Sequence, residues 1–527
     1  MKFDICIIGS GAGAGPIAYE LSKSGAKVVV LEKGGFYKEK DFSKDEIAYC
    51  RRNIIIPKLD DEFHVVNGTP TFKSGWNFFN GNIVGGASNF MSGFFHKMHP
   101  KDFKLLSEFG AIKGANVADW PISYEELEPF YKKVEKVVGM SGDKHVYPPT
   151  FEHPISKLID KSSFELGLKA SQTPRAILTE KKGDRDPCYY SNYCGSYGCS
   201  SGAKGSARAA LLQPALKSGN LTIITHTFVK RLITDKKNSI QSAEYIDKDG
   251  DTKIIKAKIF VVAAGAIESC RLLLNSKSQE FPNGLSNNSN QVGKNLLFSA
   301  GGVVSGEFDS SVMDLKMLMI EGVFVNRTIK DWYFLDAKTK GGISEVLFEH
   351  ANPIVKANKE KWQDGKLIWG EELQKNIYKK LNLSKTLNFE IFNDWLPNDN
   401  CYVSTKTRYL DKFGMPVAKV QINSHPKNVE VAKTLAKKTE KILVKMGAKN
   451  IKSSISPAPP SNLQAGGCRF GNNPKTSVLD KDCKSHEVKN LFVTDGSFMP
   501  TGGSVPYTWT IYANSFRVAE VIKRVIF

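Results

Sequence analysis

The stretch from Phe3 to Glu32 constrains this chain more than any other, because it reads strand, glycine turn, helix, strand, acid. Phe3-Asp4-Ile5-Cys6-Ile7-Ile8 is a short apolar strand. Gly9-Ser10-Gly11-Ala12-Gly13-Ala14 turns it into a helix from about Pro16 to Ser24. Lys27-Val28-Val29-Val30-Leu31 is a second strand, with Glu32 at its end. This is the dinucleotide-binding fingerprint in the context that gives it meaning. Gly9 permits the tight turn, Gly11 admits backbone N–H groups to a pyrophosphate, and small Ala14 allows close helix–strand packing. Glu32 stands where it accepts hydrogen bonds from a ribose 2′-OH. A glycine-rich turn of some other α/β protein is the alternative, and both strands plus the acid at the right distance argue against it.

With 527 residues the chain can bury a large core, as two or three domains or as one domain with a second inserted. Its 41% hydrophobic and 24% charged content is ordinary for a globular protein. No apolar run is long enough to cross a bilayer. The first strand begins at Phe3, so the expected location is cytoplasmic, or periplasmic by co-export with a signal-bearing partner. The 73 Lys+Arg against 54 Asp+Glu give a net +19. That excess is either a solvated cationic surface or a basic face for anionic lipid, an acidic substrate or an acidic redox partner. No basic stretch interleaved with aromatics points to nucleic acid. The nine cysteines do not form a secreted disulfide framework; Cys188, Cys194 and Cys199 are clustered, and Cys6, Cys50, Cys270, Cys401, Cys468 and Cys483 read as small core residues.

Further along, Gly81 to Asn89 is glycine-rich, and Ser123 is the N-cap of an amphipathic helix from Tyr124 to about Val138. Asn220 to Gly250 alternates like a hairpin. Lys258 to Gly265 is a buried strand running into small residues, followed by a helix from Glu268 to Asn275. Phe298 to Ile455 is aromatic, charged and irregular, the place for substrate recognition. Pro457-Ala458-Pro459-Pro460 reads as a stiff linker. A strand at Asn490 to Thr494 precedes Asp495-Gly496-Ser497, and a last helix spans about Thr510 to Val525.

Taken in order, these segments resemble the glucose–methanol–choline (GMC) oxidoreductases over nearly the whole chain. The resemblance rests on the N-terminal fingerprint, Val84-Gly85-Gly86-Ala87-Ser88-Asn89, Ala118-Asp119-Trp120-Pro121, Ala263-Ala264-Gly265-Ala266 and Val292-Gly293-Lys294-Asn295-Leu296. It rests equally on Gly466-Gly467-Cys468-Arg469-Phe470-Gly471 and on Asn490 to Ser497. Within that family the chain is most similar to catalytic subunits of membrane-linked sugar and gluconate dehydrogenases. The implied fold is α/β: a Rossmann-like FAD-binding domain (1–297), an inserted α+β substrate domain (298–455) and a C-terminal return into the first domain (456–527). The implied cofactor is FAD in an extended conformation, with Glu32 on the adenosine ribose and Val229 and Ala264 along the adenine. Gly85, Gly86, Ser88 and Asn89 would run beside the pyrophosphate and flavin, and Asp495 and Gly496 would close over the pyrophosphate and ribityl chain. The implied activity is a dehydrogenase for a CH–OH group of a sugar, aldonic acid or polyol. Electrons would leave to a quinone or cytochrome through partner subunits, namely a small chaperone-like subunit and a cytochrome subunit, with membrane association through those partners.

Two segments leave alternatives open. Cys188, Cys194 and Cys199, spaced by six and five with glycines between, suit a 3Fe-4S cluster, which some family members carry in this segment. A zinc site with a distant fourth ligand and three unligated thiols are the other readings. The family's catalytic His three residues before the Gly-Gly pair falls on Leu463, and its second His or Asn on Pro506. Neither moves a proton. Tyr507, Gln464 or Asn462 then stands nearest the flavin; His96, His350 or His425 from another segment is a further choice. A flavoprotein oxidase or non-alcohol redox enzyme, and a catalytically degenerate flavin-binding subunit, are the competing functions.

Overall fold

A computed structural model describes residues 2–47, 63–76, 78–458 and 462–527; Cys50 and the Pro459-Pro460 half of the expected linker lie outside the described residues. The chain opens with β1 (Phe3–Ile8), α1 (Gly15–Lys23) and β2 (Val28–Leu31). Gly9 makes the intervening turn at φ +90°, and a Cβ there would lie 2.4 Å from the Ala263 carbonyl oxygen. Helix α2 (Tyr124–Val134) starts at Ser123, which forms a reciprocal capping box with Glu126. Next come β3 (Ala170–Gln172), β4 (Leu221–Ile224), the antiparallel strands β5 (Phe228–Thr234), β6 (Ile240–Ile246) and β7 (Thr252–Ile255), then β8 (Ala257–Val262) and α3 (Ala266–Asn275). The middle of the chain supplies β9 (Ala300–Asp309), β10 (Arg327–Ile329), β11 (Gly342–Phe348), β12 (Ser384–Asn393), α4 (Pro426–Lys445) and β13 (Lys449–Ile455). It ends in β14 (Leu491–Val493) and α5 (Thr508–Ile526).

Strands β14–β8–β1–β2–β4 form one parallel sheet, with Ile7 beside Val261 on one side and Val30 on the other. Ile5, Cys6, Ile7, Val28, Val29 and Val30 are fully buried, as a sheet covered on both faces requires. Helix α5 packs against α1 through Tyr19 and Phe516 and against α2 through Tyr131 and Trp509. The expected hairpin from Asn220 is corrected at its start. Leu221–Ile224 is the edge strand of the parallel sheet, pairing with Val28–Leu31, and the hairpin begins at Phe228.

The segment expected to be irregular is the most regular part of the molecule. Strands β13–β9–β12–β11–β10–β3 make a six-stranded antiparallel sheet. Helix α4 covers one face, burying Leu435, Ile442 and Leu443 against Val304, Phe389 and Ile391. The opposite face turns the paired Ile343 and Phe392 toward the main core and carries half-buried Asn388 and Glu390 further along β12. Gly301, Gly302 and Gly306 interrupt the apolar positions of β9, whereas β12 alternates plainly from Leu387 to Ile391. Because β3 joins this sheet from residue 170, the substrate-side body draws on chain well before residue 298.

Candidate active site

The carboxyl ends of β1, β8 and β14 converge where the parallel sheet hands over to its loops, the place where open α/β sheets take ligands. A cavity of about 330 Å³ opens there, within the range of small-molecule sites. At its acidic end Glu32 is buried and doubly held. The Ser10 hydroxyl donates to one carboxylate oxygen at 2.5 Å and the Gly34 N–H to the other at 2.8 Å. Gly85 N–H in turn donates to Ser10 at 3.0 Å. Burial pushes the Glu32 carboxyl up, opposed by the Ser10 and Gly34 donors. Free lone pairs remain on both oxygens for incoming hydroxyls.

The residues present fit a dinucleotide. Gly11 lines the cavity, and a Cβ built on it meets nothing within 4 Å, so backbone lies bare where a pyrophosphate would pass. Gly86 closes the opposite wall, its Cβ position 3.1 Å from Gly11 Cα. Gly9, Gly11, Glu32, Gly86, Ser88, Val229, Ala264, Asp495 and Gly496 all line the cavity. Ala14, Gly85 and Asn89 stand behind it and shape the wall. Ala14 is buried ahead of α1, and Gly85 packs on Arg208. The Asn89 amide donates to the Val84 and Gly86 carbonyls at 3.0 and 2.9 Å. Ser88 likewise spends its hydroxyl on Gly85 O and Ala207 N–H. Asp495 is a strut: its carboxylate accepts from Gly265 N–H, Ser497 N–H and the Ser269 hydroxyl, clamping α3 to the turn beside Gly496.

Asn462, Gln464 and Tyr507 all line the cavity too, with Leu463 between them at φ +57°. Tyr507 is buried, donates its hydroxyl to the Phe298 carbonyl, and burial pushes its pKa well above the ordinary value. It keeps its proton, so it orients and does not act as a base. The other histidines considered lie off the cavity wall: His425 caps α4, and His350 lies against Gly195. His486 bonds Ser477.

His64, by contrast, lines the Val229–Ala264 end. Its Nε2 is 2.9 Å from Glu268, which Arg271 also pairs while reaching Asp411. Though burial opposes it, Arg271 and His64 hold the Glu268 carboxyl below the usual range. Glu268 and Arg271 follow the Ala-Ala-Gly motif on a legible helix, but nothing in the sequence marks His64.

A buried polar network fills the seam between the two sheets. His96 Nε2 is 2.6 Å from Glu345, which also accepts from Thr173 and Thr328. Burial pulls His96 down, so it is a neutral donor to an ionised carboxylate, and its Nδ1 has no protein partner. Glu390, across the sheet from Glu345, is pushed up to about 7 by burial and by the Glu345 charge. Arg175, stacked between Phe94 and Phe324 at 4.5 and 4.3 Å, faces both.

The cysteine loop does not fit a metal cluster. Cys188, Cys194 and Cys199 pack against Ile177, Leu178 and Ala203. Among the described residues, no three His, Cys, Asp or Glu side chains converge to hold a metal ion. The loop is held instead by Lys204, whose ammonium donates to the carbonyls of Asn89, Cys194 and Tyr197 at 3.1, 2.8 and 2.8 Å. Burial pushes the Cys188 thiol up to about 12 and raises Cys194 as well. Cys199 also suffers burial, yet Lys204 and Ser201 bring it below its usual value.

A glycine-lined cleft at the carboxyl ends of a parallel sheet, with a buried acid at one end, defines a dinucleotide-binding protein of Rossmann type. The chain belongs to the GMC oxidoreductases, whose N-terminal model matches residues 63–299 and whose C-terminal model matches residues 397–515. It is 27% identical over 533 residues to 6′′′-hydroxyparomomycin C oxidase of Streptomyces lividus, covering 99% of this chain and 91% of that one. It is 24% identical to the fructose dehydrogenase large subunit of Gluconobacter japonicus, covering 99% and 98%. The crystal structure of pyridoxine 4-oxidase from "Mesorbium loti" superposes with a TM-score of 0.65 at 16% identity, covering 99% of each chain, and so shares the fold.

Proposed function

We propose that this chain is an FAD-dependent enzyme that oxidises a CH–OH group of a sugar, aldonic acid or polyol and passes the electrons to a quinone or cytochrome through partner subunits. The cavity wall built from Gly11, Glu32, Gly86 and Gly496 carries the cofactor half of this reading. Bound there, FAD supplies a two-electron hydride acceptor. Leu463 and Pro506 bring no proton acceptor; Gln464 and Tyr507 border the substrate hydroxyl, whose carbon gives its hydride to the flavin while the hydroxyl proton leaves to solvent at the mouth beside exposed Asn462. The relatives support the substrate class: they include proteins named fructose dehydrogenase large subunit, gluconate 2-dehydrogenase flavoprotein and 2-methyl-1,2-propanediol dehydrogenase. The first of those names describes one subunit of a larger assembly, which supports partner subunits here.

A second reading is direct oxidation by dioxygen. Two Streptomyces relatives, at 27% and 28% identity over 99% of this chain, are named oxidases of amino sugars. Anaerobic titration of the flavin-loaded protein with sugars, aldonates, polyols and amino sugars decides between them. Bleaching by a member of the panel, with slow reoxidation in air and fast reoxidation by a quinone analogue, is the expected result. Stoichiometric hydrogen peroxide in air would establish the oxidase instead, and a flavin that no panel member bleaches would overturn both.

A further inference from the structure

Between the adjacent strands β11 and β12 the chain leaves the sheet for residues 349–383, and not one of these residues is buried. The excursion holds helices Pro353–Lys359 and Gly370–Asn382 with a two-stranded hairpin between them, Trp362–Gln363 against Lys366–Leu367. Its turn, Asp364-Gly365, has φ of +49° and +77°, the positive pair of a tight hairpin turn. Trp362 and Leu367 face each other across the hairpin and are 57% and 58% exposed; Trp369, just beyond, is 81% exposed. Lys359, Lys361 and Lys366 lie on or beside the hairpin with Glu360 and Asp364 among them, and on the following helix Lys375 pairs with Glu371 at 2.8 Å while Lys379 and Lys380 follow. The base is anchored. Glu46 accepts from the N–H groups of Ile354 and Val355 at 2.7 and 2.8 Å, and the Tyr197 hydroxyl donates to Ala351 O and Asn352.

We propose that this hairpin docks the protein on an anionic bilayer, with Trp362, Leu367 and Trp369 entering the interfacial layer and the neighbouring lysines meeting lipid headgroups. Large exposed aromatics grouped on one projecting tip mark an interaction surface. The tip is a convex two-stranded hairpin, a shape that needs no complementary groove. Tryptophan favours the membrane–water interface, and lysine stems lie along apolar surface with the charge in the headgroups. The net charge of +19 gives the whole molecule the complementary sign. Among the described residues no helix is long and apolar enough to cross a membrane, so the association is at the surface. The inference stands apart from the substrate reading above.

The test is flotation of the full, flavin-loaded chain with phosphatidylcholine vesicles, alone or containing one third phosphatidylglycerol. The chain floats with the anionic vesicles only, and tryptophan emission shifts to the blue and is quenched by brominated acyl chains. The double variant Trp362→Ala/Trp369→Ala loses at least about tenfold in partitioning, as does the triple variant Lys359→Glu/Lys361→Glu/Lys366→Glu. Both keep the parent flavin content and melting temperature, because the altered side chains are in solvent. No flotation with anionic vesicles overturns the proposal. So does flotation that both variants retain in full, which assigns binding to net charge elsewhere. Self-association abolished by the tryptophan variant, without vesicle binding, overturns it in favour of an interface between two copies.

Discussion

Gly11 and Gly13 sit two residues apart and answer different needs, which substitution separates. A Cβ on Gly13 would lie 2.6 Å from Asp495 Cα, backbone against backbone, so Gly13→Ala forces the turn before α1 away from the turn after β14. It is expected to lower the melting temperature or leave the chain insoluble. Gly11→Ala meets nothing within 4 Å, so the apoprotein melts as the parent does while its flavin affinity falls at least about tenfold, measured by titration of apoprotein with FAD. Glu32→Ala strands the Ser10 hydroxyl and the Gly34 N–H, and costs flavin affinity by a similar factor of about ten or more. Glu390 gives a pH signature. Its carboxyl titrates near 7 in the folded state against an ordinary 4.5, so the native state binds the extra proton in that window. Its contribution to stability is full below pH 4.5 and is lost as pH rises to about 7. Glu390→Gln removes this decline, and melting curves of parent and variant across that range are expected to converge toward acid pH and separate toward neutral, the variant being the more stable. Of the residues read in advance, those whose role is backbone geometry or a lone acid at a strand end were legible, because few residue types satisfy such positions. Asn89 was read as facing the cofactor, and its amide is spent on Val84 and Gly86, a detail of loop closure that no local pattern carries.

Elements marked by caps and periodicity were the ones the sequence announced. Ser123 caps α2, and Ser123→Ala is expected to cost about 1 kcal/mol in chemical denaturation, since it frees an N–H that Glu126 backbone now donates. The cysteine loop was announced by spacing alone, and spacing did not decide its chemistry. Lys204, five residues past Cys199, fills the loop with its ammonium, and a buried cation there is what the thiol spacing could not reveal. Iron and acid-labile sulfide analysis of protein purified without oxygen is expected to return no stoichiometric iron. Three irons per chain would restore the cluster. Lys204→Met removes the donor to three carbonyls at once and is expected to lower the melting temperature and loosen flavin binding through Asn89, whereas Cys188→Ser is nearly neutral for flavin. Strand β9 escaped reading because Gly301, Gly302 and Gly306 interrupt its apolar positions, whereas β12 alternates from Leu387 to Ile391 and carried a legible strand signal that the charged residues around it obscured.

At the scale of the molecule, the β1–α1–β2 unit was legible because it is local in sequence, while the partners of its sheet near residues 221, 257 and 491 are not. The antiparallel half was not legible, because its strand order joins residue 170 to residue 455 through four intermediate strands. The same non-locality governs the cavity. Its floor comes from Gly9 to Gly13 and its cover from Asp495 to Ile511, and the Thr494 hydroxyl seals them by donating to the Gly13 carbonyl at 2.9 Å. During synthesis, then, the fingerprint has nothing to close it until β14, made long after it, arrives. Flavin loading is a late event, and a nascent chain short of β14 exposes an unpaired edge of β8 to chaperones and proteases.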